Sequence, residues 1–334
     1  MRLRAIMAGL ALAMGIGIAR PQPRQGLVLY SALGCGPAVA AAFTRKTGIP
    51  VRVASFRTGA LFGHIAAEGR HPRWSLAWFN DAPGATALDQ RGLLAHGLPE
   101  PSGLTKRGKA MLGPDAAYVP TGFTLAGVFV TAADPYLQPP PDWPALTGPR
   151  YRGIVGLSDP LLSQGDYPLL AGMLESGGGW PGGKPFIRAL KHAGLHIYAD
   201  DSDVLAALRS GSISVGVMPL STALHAASLD KALRVTIPRP AYAAPSVIVM
   251  AKGLPAARRR KAERFIAFVN RPSVQRLRMR SDGDGPYWPV TASPPPPAIL
   301  PPASGAAVLN AAKWGARERA VIGWFSRRIV GRSL

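Results

Sequence analysis

The alternation of strand and helix patterns between residues 25 and 92 constrains the fold more than any other feature of this chain. Residues 25–33 form a short apolar run with β-branched and aromatic members, which is typical of a buried strand. Residues 37–47 place apolar side chains at helical spacing and end at Gly48, as a C-cap would. Strand patterns recur at 49–55 and 75–80, with a helix pattern over 60–68 between them. This order predicts a parallel α/β sheet.

The same alternation recurs later in the chain. Strands are predicted at 154–158, 195–198, 213–218 and 246–251, and helices at 166–174, 186–193, 203–209 and 256–270. The chain would pass from one lobe to the other near Thr121 and Gly122, and return near Tyr242. We therefore expect two lobes joined by a hinge, with a ligand cleft between them. The first lobe would comprise residues 25–121 and 240–330, and the second residues 122–239.

The N-terminus has the pattern of a secretion signal. Arg2 and Arg4 precede an apolar run over residues 5–18, which predicts a signal peptide over 1–19 and export to the periplasm. The run is too short to cross a bilayer comfortably, because a spanning helix needs about 20 apolar residues. Cys35 is the single cysteine, so an internal disulfide is excluded.

The chain is strongly basic, with a formal net charge of +21. Such a charge favours anionic ligands and anionic membrane surfaces. Lys and Arg are scattered apart from a cluster at 258–261, and no nucleic-acid-binding module is recognisable. We therefore expect no nucleic-acid partner.

Small polar residues stand where predicted strands end, and ligands of open α/β sheets bind at that edge. Ser31 ends the first strand, and Asp81 follows the third. Arg57, Thr58 and Gly59 open a helix, where free N–H groups, the helix dipole and an arginine would hold a phosphate or carboxylate. Capping of the helices by Thr58 and by Asp81 is the alternative role of those two residues.

Several segments carry a resemblance to a known family. They are YSAL, AAFTRKTGIPVRV, RTGAL, WFNDAPGATALDQRGLL, GIVGLSDPLLSQGDYPLLAGML and FIRALKHAGLHIYADDSDVLAALRSGSISVGV. In this order they resemble the extracellular solute-binding proteins of bacterial ABC importers, in the ferric, phosphonate and sugar-phosphate branch. The resemblance implies the type II periplasmic-binding fold, a membrane ABC permease as partner, a monomer, and a binding function without catalysis or cofactor.

The resemblance also implies a second wall of the cleft. Its loop would contain Ser163, Gly165 and Asp166, while Tyr242 would line the hinge or pack in the core. Asp166 stands where the family usually has Thr or Ser. A carboxylate there would repel an anion unless it meets an amino group on the same ligand. We expect a small anionic solute, resembling a phosphonate or organophosphate, that can also carry an amine.

Three other functions remain open at this point. A ferric receptor of this branch presents adjacent tyrosines after the strand that corresponds to 213–218, whereas this chain has Pro-Leu-Ser-Thr at 219–222. No metal site is therefore expected. A periplasmic sensor module for a membrane kinase would use the same clamp. A serine hydrolase would use Ser158 in Gly-Leu-Ser-Asp-Pro, but Pro160 replaces the second glycine of that motif.

Overall fold

The computed structural model describes residues 26–132, 136–163, 166–280, 285–303 and 305–332. The expected signal peptide and Gly165 therefore lie outside the described residues. The strands are β1 (Leu27–Ser31), β2 (Val51–Ser55), β3 (Leu76–Phe79), β4 (Tyr118–Leu125), β5 (Val128–Ala132), β6 (Val155–Ser158), β7 (His196–Tyr198), β8 (Val215–Met218), β9 (Leu233–Thr236), β10 (Ala241–Met250) and β11 (Ala306–Val308). The helices are α1 (Gly36–Thr47), α2 (Thr58–Glu68), α3 (Ala82–Gln90), α4 (Lys106–Lys109), α5 (Tyr167–Ser176), α6 (Lys184–His192), α7 (Asp201–Arg209), α8 (Leu220–Leu229), α9 (Ala256–Val269), α10 (Pro272–Met279), α11 (Ala311–Gly315) and α12 (Glu318–Phe325).

The strands form two separate sheets. The first has the order β11-β10-β3-β1-β2, with β4 paired to β10, and the second has the order β7-β6-β8-β5-β9. In the first sheet β1 runs parallel to β2 and β3, and in the second sheet β6 runs parallel to β7 and β8. The two mixed sheets with their helices confirm the predicted α/β architecture. The lobe boundaries at residues 121–122 and 239–240 stay a prediction.

The long strand β10 begins earlier than its sequence pattern indicates. The strand predicted at 246–251 starts at Ala241, and Pro245 lies inside it. Proline lacks the N–H that a ladder needs and usually marks an edge or an irregularity. Here the pairing of β10 with β4 shifts register between Ser246 and Val247, directly after the proline.

The C-terminal segment contacts both sheets' helices. A Cβ added to Gly315 in α11 would lie 2.5 Å from the carbonyl oxygen of Pro83 in α3, so the two helices are in close contact. Next to it, Trp314 accepts a 2.7 Å hydrogen bond from the Tyr167 hydroxyl through its carbonyl. Trp314 and Phe325 are buried with Leu157 in the core of the second sheet. The segment after residue 309 therefore contacts both lobes, and its assignment to the first lobe stays a prediction.

No helix in the described part of the chain is long and apolar enough to cross a membrane.

Candidate ligand cleft

The carboxyl ends of the parallel strands of the two sheets lie close together. In the first sheet two residues separate the end of β2 from the start of α2, and in the second sheet two residues separate the end of β7 from the start of α7. Arg57, at the start of α2, forms an ion pair with Asp200, at the start of α7. A Cβ on Gly59 would lie 3.0 Å from the carbonyl oxygen of Leu162. The loop before α5 and the start of α7 therefore contact the start of α2, where the two lobes meet.

Arg57 is placed differently from what a simple anion clamp requires. Its side chain is 74% exposed, and its guanidinium donates to the carboxylate of Asp200. The hydroxyl of Ser202 and then the guanidinium of Arg57 hold the pKa of Asp200 below its usual value. Asp200 also caps α7 by accepting hydrogen bonds from the backbone N–H groups of Ser202 and Asp203. The pair thus holds one positive and one negative group on opposite sides of the cleft.

The N-terminus of α2 carries no side-chain cap. Its N-cap residue is Arg57 rather than Thr58, and the Arg57 side chain makes no capping hydrogen bond within the described residues. Thr58 and Gly59 are half-buried. Since uncapped first-turn N–H groups attract anions, this helix start keeps the binding capacity that its sequence predicts.

Ser31 and Asp81 both serve the local structure of the first lobe. Ser31 is buried, and its hydroxyl donates to the carbonyl of Leu33 at 2.9 Å, which fixes the turn into α1. Asp81 is fully buried and caps α3 by accepting a 2.8 Å hydrogen bond from the N–H of Gly84. Its other oxygen, Oδ2, finds no hydrogen-bond partner among the described residues. Burial first, and then the neighbouring Glu318, raises the pKa of Asp81 well above its usual value.

On the opposite wall, Asp166 belongs to a buried polar cluster. The hydroxyl oxygen of Ser158 lies 2.6 Å from Oδ2 of Asp166 and 2.9 Å from Oδ1 of Asp201. Burial raises the pKa of Asp166, although hydrogen bonds from Ser158 and Ser163 oppose it. Burial, followed by the charge of Asp166, raises the pKa of Asp201 well above its usual value, and Thr222 hydrogen-bonds to it.

The contacts of Ser158 bear on the hydrolase alternative. Its side chain is fully buried, and both of its hydrogen-bond partners are carboxyl groups. A nucleophilic serine needs an exposed hydroxyl beside a general base, usually a histidine. The observed contacts are those of a structural hydroxyl at the end of β6.

Tyr242 lies apart from the other predicted site residues. It is buried at the start of β10, and a Cβ on Gly172 in α5 would touch its ring at 3.0 Å. Its hydroxyl is 3.5 Å from the Ser176 hydroxyl. The structure thus brings Arg57, Thr58 and Gly59 toward the loop of Ser163 and toward Asp166, while Tyr242 packs in the core of the second sheet.

Sequence reasoning missed three acidic residues near this cleft. The sequence pattern singled out none of Asp200, Asp201 and Glu318 as a site residue. Two consecutive aspartates directly after a parallel strand were the available signal, because that edge of a sheet binds ligands. Glu318 offered no such signal, because it comes close to Asp81 only when the chain has folded. It borders a cavity of about 690 Å³ that is also lined by Arg91, Leu161 and Arg319.

The described residues contain no group of three or more His, Cys, Asp or Glu side chains that could hold a metal ion.

Two mixed sheets whose strand ends face each other across a cleft define a two-lobed solute-binding fold. The family model of bacterial extracellular solute-binding proteins matches residues 38–303, and the chain belongs to this family. None of the curated protein sequences compared with the chain matches it significantly.

Solved structures of periplasmic binding proteins share the fold and confirm its type II architecture. AfuA from Actinobacillus pleuropneumoniae, with fructose-6-phosphate bound, superposes with a TM-score of 0.78 at 14% identity over 91% of this chain and 98% of that chain. Iron-bound HitA from Pseudomonas aeruginosa superposes with a TM-score of 0.73 at 18% identity, over 89% of this chain and 98% of that chain. FutA from Trichodesmium, with iron and citrate, superposes with a TM-score of 0.70 at 16% identity, over 90% of this chain and 98% of that chain. At these identities the likeness establishes the fold alone.

Proposed function

We propose that this protein is the periplasmic receptor of an ABC importer and delivers a small solute to the membrane permease. The family and its fold support this role. Residues 1–19 would direct export and then be removed. The receptor would act as a monomer, without cofactor, catalysis or nucleic acid. Closure of two lobes on the solute would signal occupancy to the permease, as hinge closure does in binding proteins.

We further propose that the solute carries an anionic group and an amine close together. The ion pair between Arg57 and Asp200 is the observation that carries this proposal. The anionic group would replace Asp200 beside the Arg57 guanidinium and would also reach the uncapped N–H groups of α2. The amine would replace Arg57 beside Asp200. Each partner of the ion pair then regains a charge-assisted hydrogen bond when the solute binds.

A phosphate-type anion fits this wall better than iron does. The fructose-6-phosphate complex of AfuA shows that this fold can hold a sugar phosphate. HitA and FutA carry iron, but this chain has no tyrosine at 219–222 and no cluster of metal-ligating side chains among its described residues. A sensor for a membrane kinase would use the same cleft, and it would be distinguished by failure to stimulate a cognate permease in vesicles.

A thermal-shift panel tests the proposal directly. The purified protein is mixed with aminoalkyl phosphonates, plain phosphonates, sugar phosphates, amino acids and ferric citrate. A ligand present at about 100 times its Kd stabilises the folded state by roughly 2.7 kcal/mol, which is a readily measured shift. We expect the aminoalkyl phosphonates to give the largest shift.

The variant Arg57→Ala should lose this shift, and Arg70→Ala is its matched control. Arg70 is an exposed arginine just past the opposite end of α2, so its removal changes the net charge equally. An equal shift in Arg57→Ala and the control would overturn the anion clamp. A shift by ferric citrate alone would overturn the ligand class while leaving the receptor role in place.

A further inference from the structure

Three helices form a layer on one side of the first sheet. The Phe43 ring of α1 lies 5.0 Å from the Phe265 ring and 5.3 Å from the Phe268 ring, both in α9. Val274 of α10 is buried in the same core cluster. The apolar sides of α1, α9 and α10 are therefore packed inward, and their polar sides face solvent.

The solvent side of this layer is strongly basic. Segments 36–47 and 256–280 contain a single acidic residue, Glu263, and it pairs with Arg259. Seven basic side chains are exposed, and we call them the basic face: Arg45, Lys46, Arg260, Arg264, Arg271, Arg276 and Arg280. None of the seven forms an ion pair with a described residue. Within the part of the chain that the structure describes, these seven charges have no acidic partner.

The basic face has no large exposed apolar side chain, among the described residues, that could insert into an apolar partner. The large apolar side chains that are exposed in the described residues are Tyr136, Leu162, Leu229 and Ile299, and all of them lie outside α1, α9 and α10. A surface that offers Lys and Arg without exposed aromatic or aliphatic anchors interacts through charge alone. Its partner must therefore present many negative charges on an extended surface.

We propose that the basic face docks on a lipid bilayer that contains anionic phospholipids. Anionic headgroups offer a dense layer of negative charge, and each Lys or Arg held near such a layer strengthens binding by about fivefold. The docked protein would diffuse along the membrane that holds its permease. This inference goes beyond the proposed receptor function and does not depend on the solute.

Co-sedimentation with vesicles tests the docking. The purified protein is mixed with vesicles of phosphatidylglycerol and phosphatidylcholine, or of phosphatidylcholine alone, at about 0.05 M salt. We expect the protein to sediment with the anionic vesicles only and to be released at about 0.5 M salt, because screening shortens the reach of surface charges. Absence of sedimentation with anionic vesicles overturns the proposal.

A charge-reversal variant assigns the binding to the basic face. The triple variant Arg260→Glu, Arg264→Glu and Arg276→Glu should bind anionic vesicles at least about tenfold more weakly. The control triple variant Arg188→Glu, Lys231→Glu and Arg234→Glu makes the same change in net charge at exposed positions in or next to elements around the second sheet. An equal loss in both variants shows that net charge alone drives binding and overturns the assignment.

Two further readouts separate membrane docking from a loss of the folded state and from nucleic-acid binding. The basic-face variant should keep the thermal shift by the solute, so failure of docking and failure of the receptor function are distinguishable. If the three glutamate substitutions prevent folding, glutamine substitutions at the same three positions give the same comparison. Displacement by duplex DNA at an equal phosphate concentration would assign the face to nucleic acid and overturn the membrane proposal.

Discussion

Asp166 and Asp201 share the hydroxyl group of Ser158, which lies between their carboxyl oxygens at 2.6 and 2.9 Å. A serine hydroxyl has one proton to donate, so it can satisfy only one ionised carboxylate. The remaining acceptor capacity has other donors, because Ser163 hydrogen-bonds to Asp166 and Thr222 to Asp201. Burial raises the pKa of both aspartates. Three side chains of the second wall are therefore held in fixed positions at the strand ends.

Replacement of Ser158 by alanine tests the cluster. Ser158→Ala leaves two buried carboxyl groups without their common partner, and we expect a loss of about 1–3 kcal/mol in the free energy of unfolding. The control is Ser176→Ala. The Ser176 hydroxyl donates to the Gly172 carbonyl within α5, and its removal should lower the free energy of unfolding by less. Urea denaturation measures both variants. Equal stability of Ser158→Ala and the wild type would contradict a structural role for this hydroxyl.

Glu318 should make the stability depend on pH. Burial raises its pKa from 4.5 to about 7, against the opposing charge of Arg91. The folded protein therefore binds a proton more tightly than the unfolded chain does. The resulting stability is present in full below pH 4.5 and is lost as the pH rises toward 7.

Glu318→Gln should remove this dependence, because the amide stays neutral at every pH. The measured quantity is the free energy of unfolding of the variant minus that of the wild type. We expect this difference to rise by on the order of 3 kcal/mol between low and neutral pH. Urea denaturation between pH 4 and pH 8 measures it, with the exposed Glu100→Gln as control. Parallel curves for Glu318→Gln and the wild type would show that Glu318 ionises normally.

Two helical glycines should respond in opposite directions to the same substitution. Gly315→Ala puts a Cβ 2.5 Å from the Pro83 carbonyl oxygen, and we expect a loss of about 1–3 kcal/mol. Gly63, inside α2, has nothing within 4 Å of its Cβ position. Gly63→Ala should therefore stabilise by roughly 0.5–1 kcal/mol through helix propensity. Differential scanning calorimetry compares the two, and a stabilising Gly315→Ala would rule out the close contact of α11 with α3.

The Arg57–Asp200 ion pair should contribute little to stability. The arginine side chain is 74% exposed, and exposed pairs contribute up to about 1 kcal/mol. Arg57→Ala should thus unfold within about 1 kcal/mol of the wild type even though we expect it to lose its solute. A double-mutant cycle with Asp200→Ala measures the coupling in urea. A coupling energy well above this range would assign the pair to the stability of the fold instead.

The sequence pattern predicted the local part of this fold well. The βα units that begin with β1 and β2 appear where alternating apolar runs and helical spacing placed them, because each unit depends on neighbouring residues. The pattern failed at β10, where Pro245 conceals the first half of a strand that tertiary pairing maintains. The assignment of residues after 309 to the first lobe stays a prediction, since α11 packs on α3 while Phe325 of α12 is buried in the core of the second sheet.

The sequence predicted which strand ends carry candidate site residues. It did not predict which of these side chains contact each other. Arg57, Thr58 and Gly59 could be placed near a cleft because strand ends are known binding edges, and Asp166 because of the resemblance to the family. The partner of Arg57 lies 143 residues away, and no local pattern encodes that contact. The raised pKa values of Asp81 and Asp201 likewise arise from burial, which only the folded structure determines.

Helix α11 packs against helices of both sheets. Its Gly315 fits against α3 beside the first sheet, and its neighbour Trp314 is held by Tyr167 of α5 beside the second. This contact between the two sheets' helices is separate from the two stretches of chain that join β4 to β5 and β9 to β10. If the lobes close on a solute as proposed, this additional link would restrict the motion, because opening would have to keep α11 in contact with α3 or slide α11 along it.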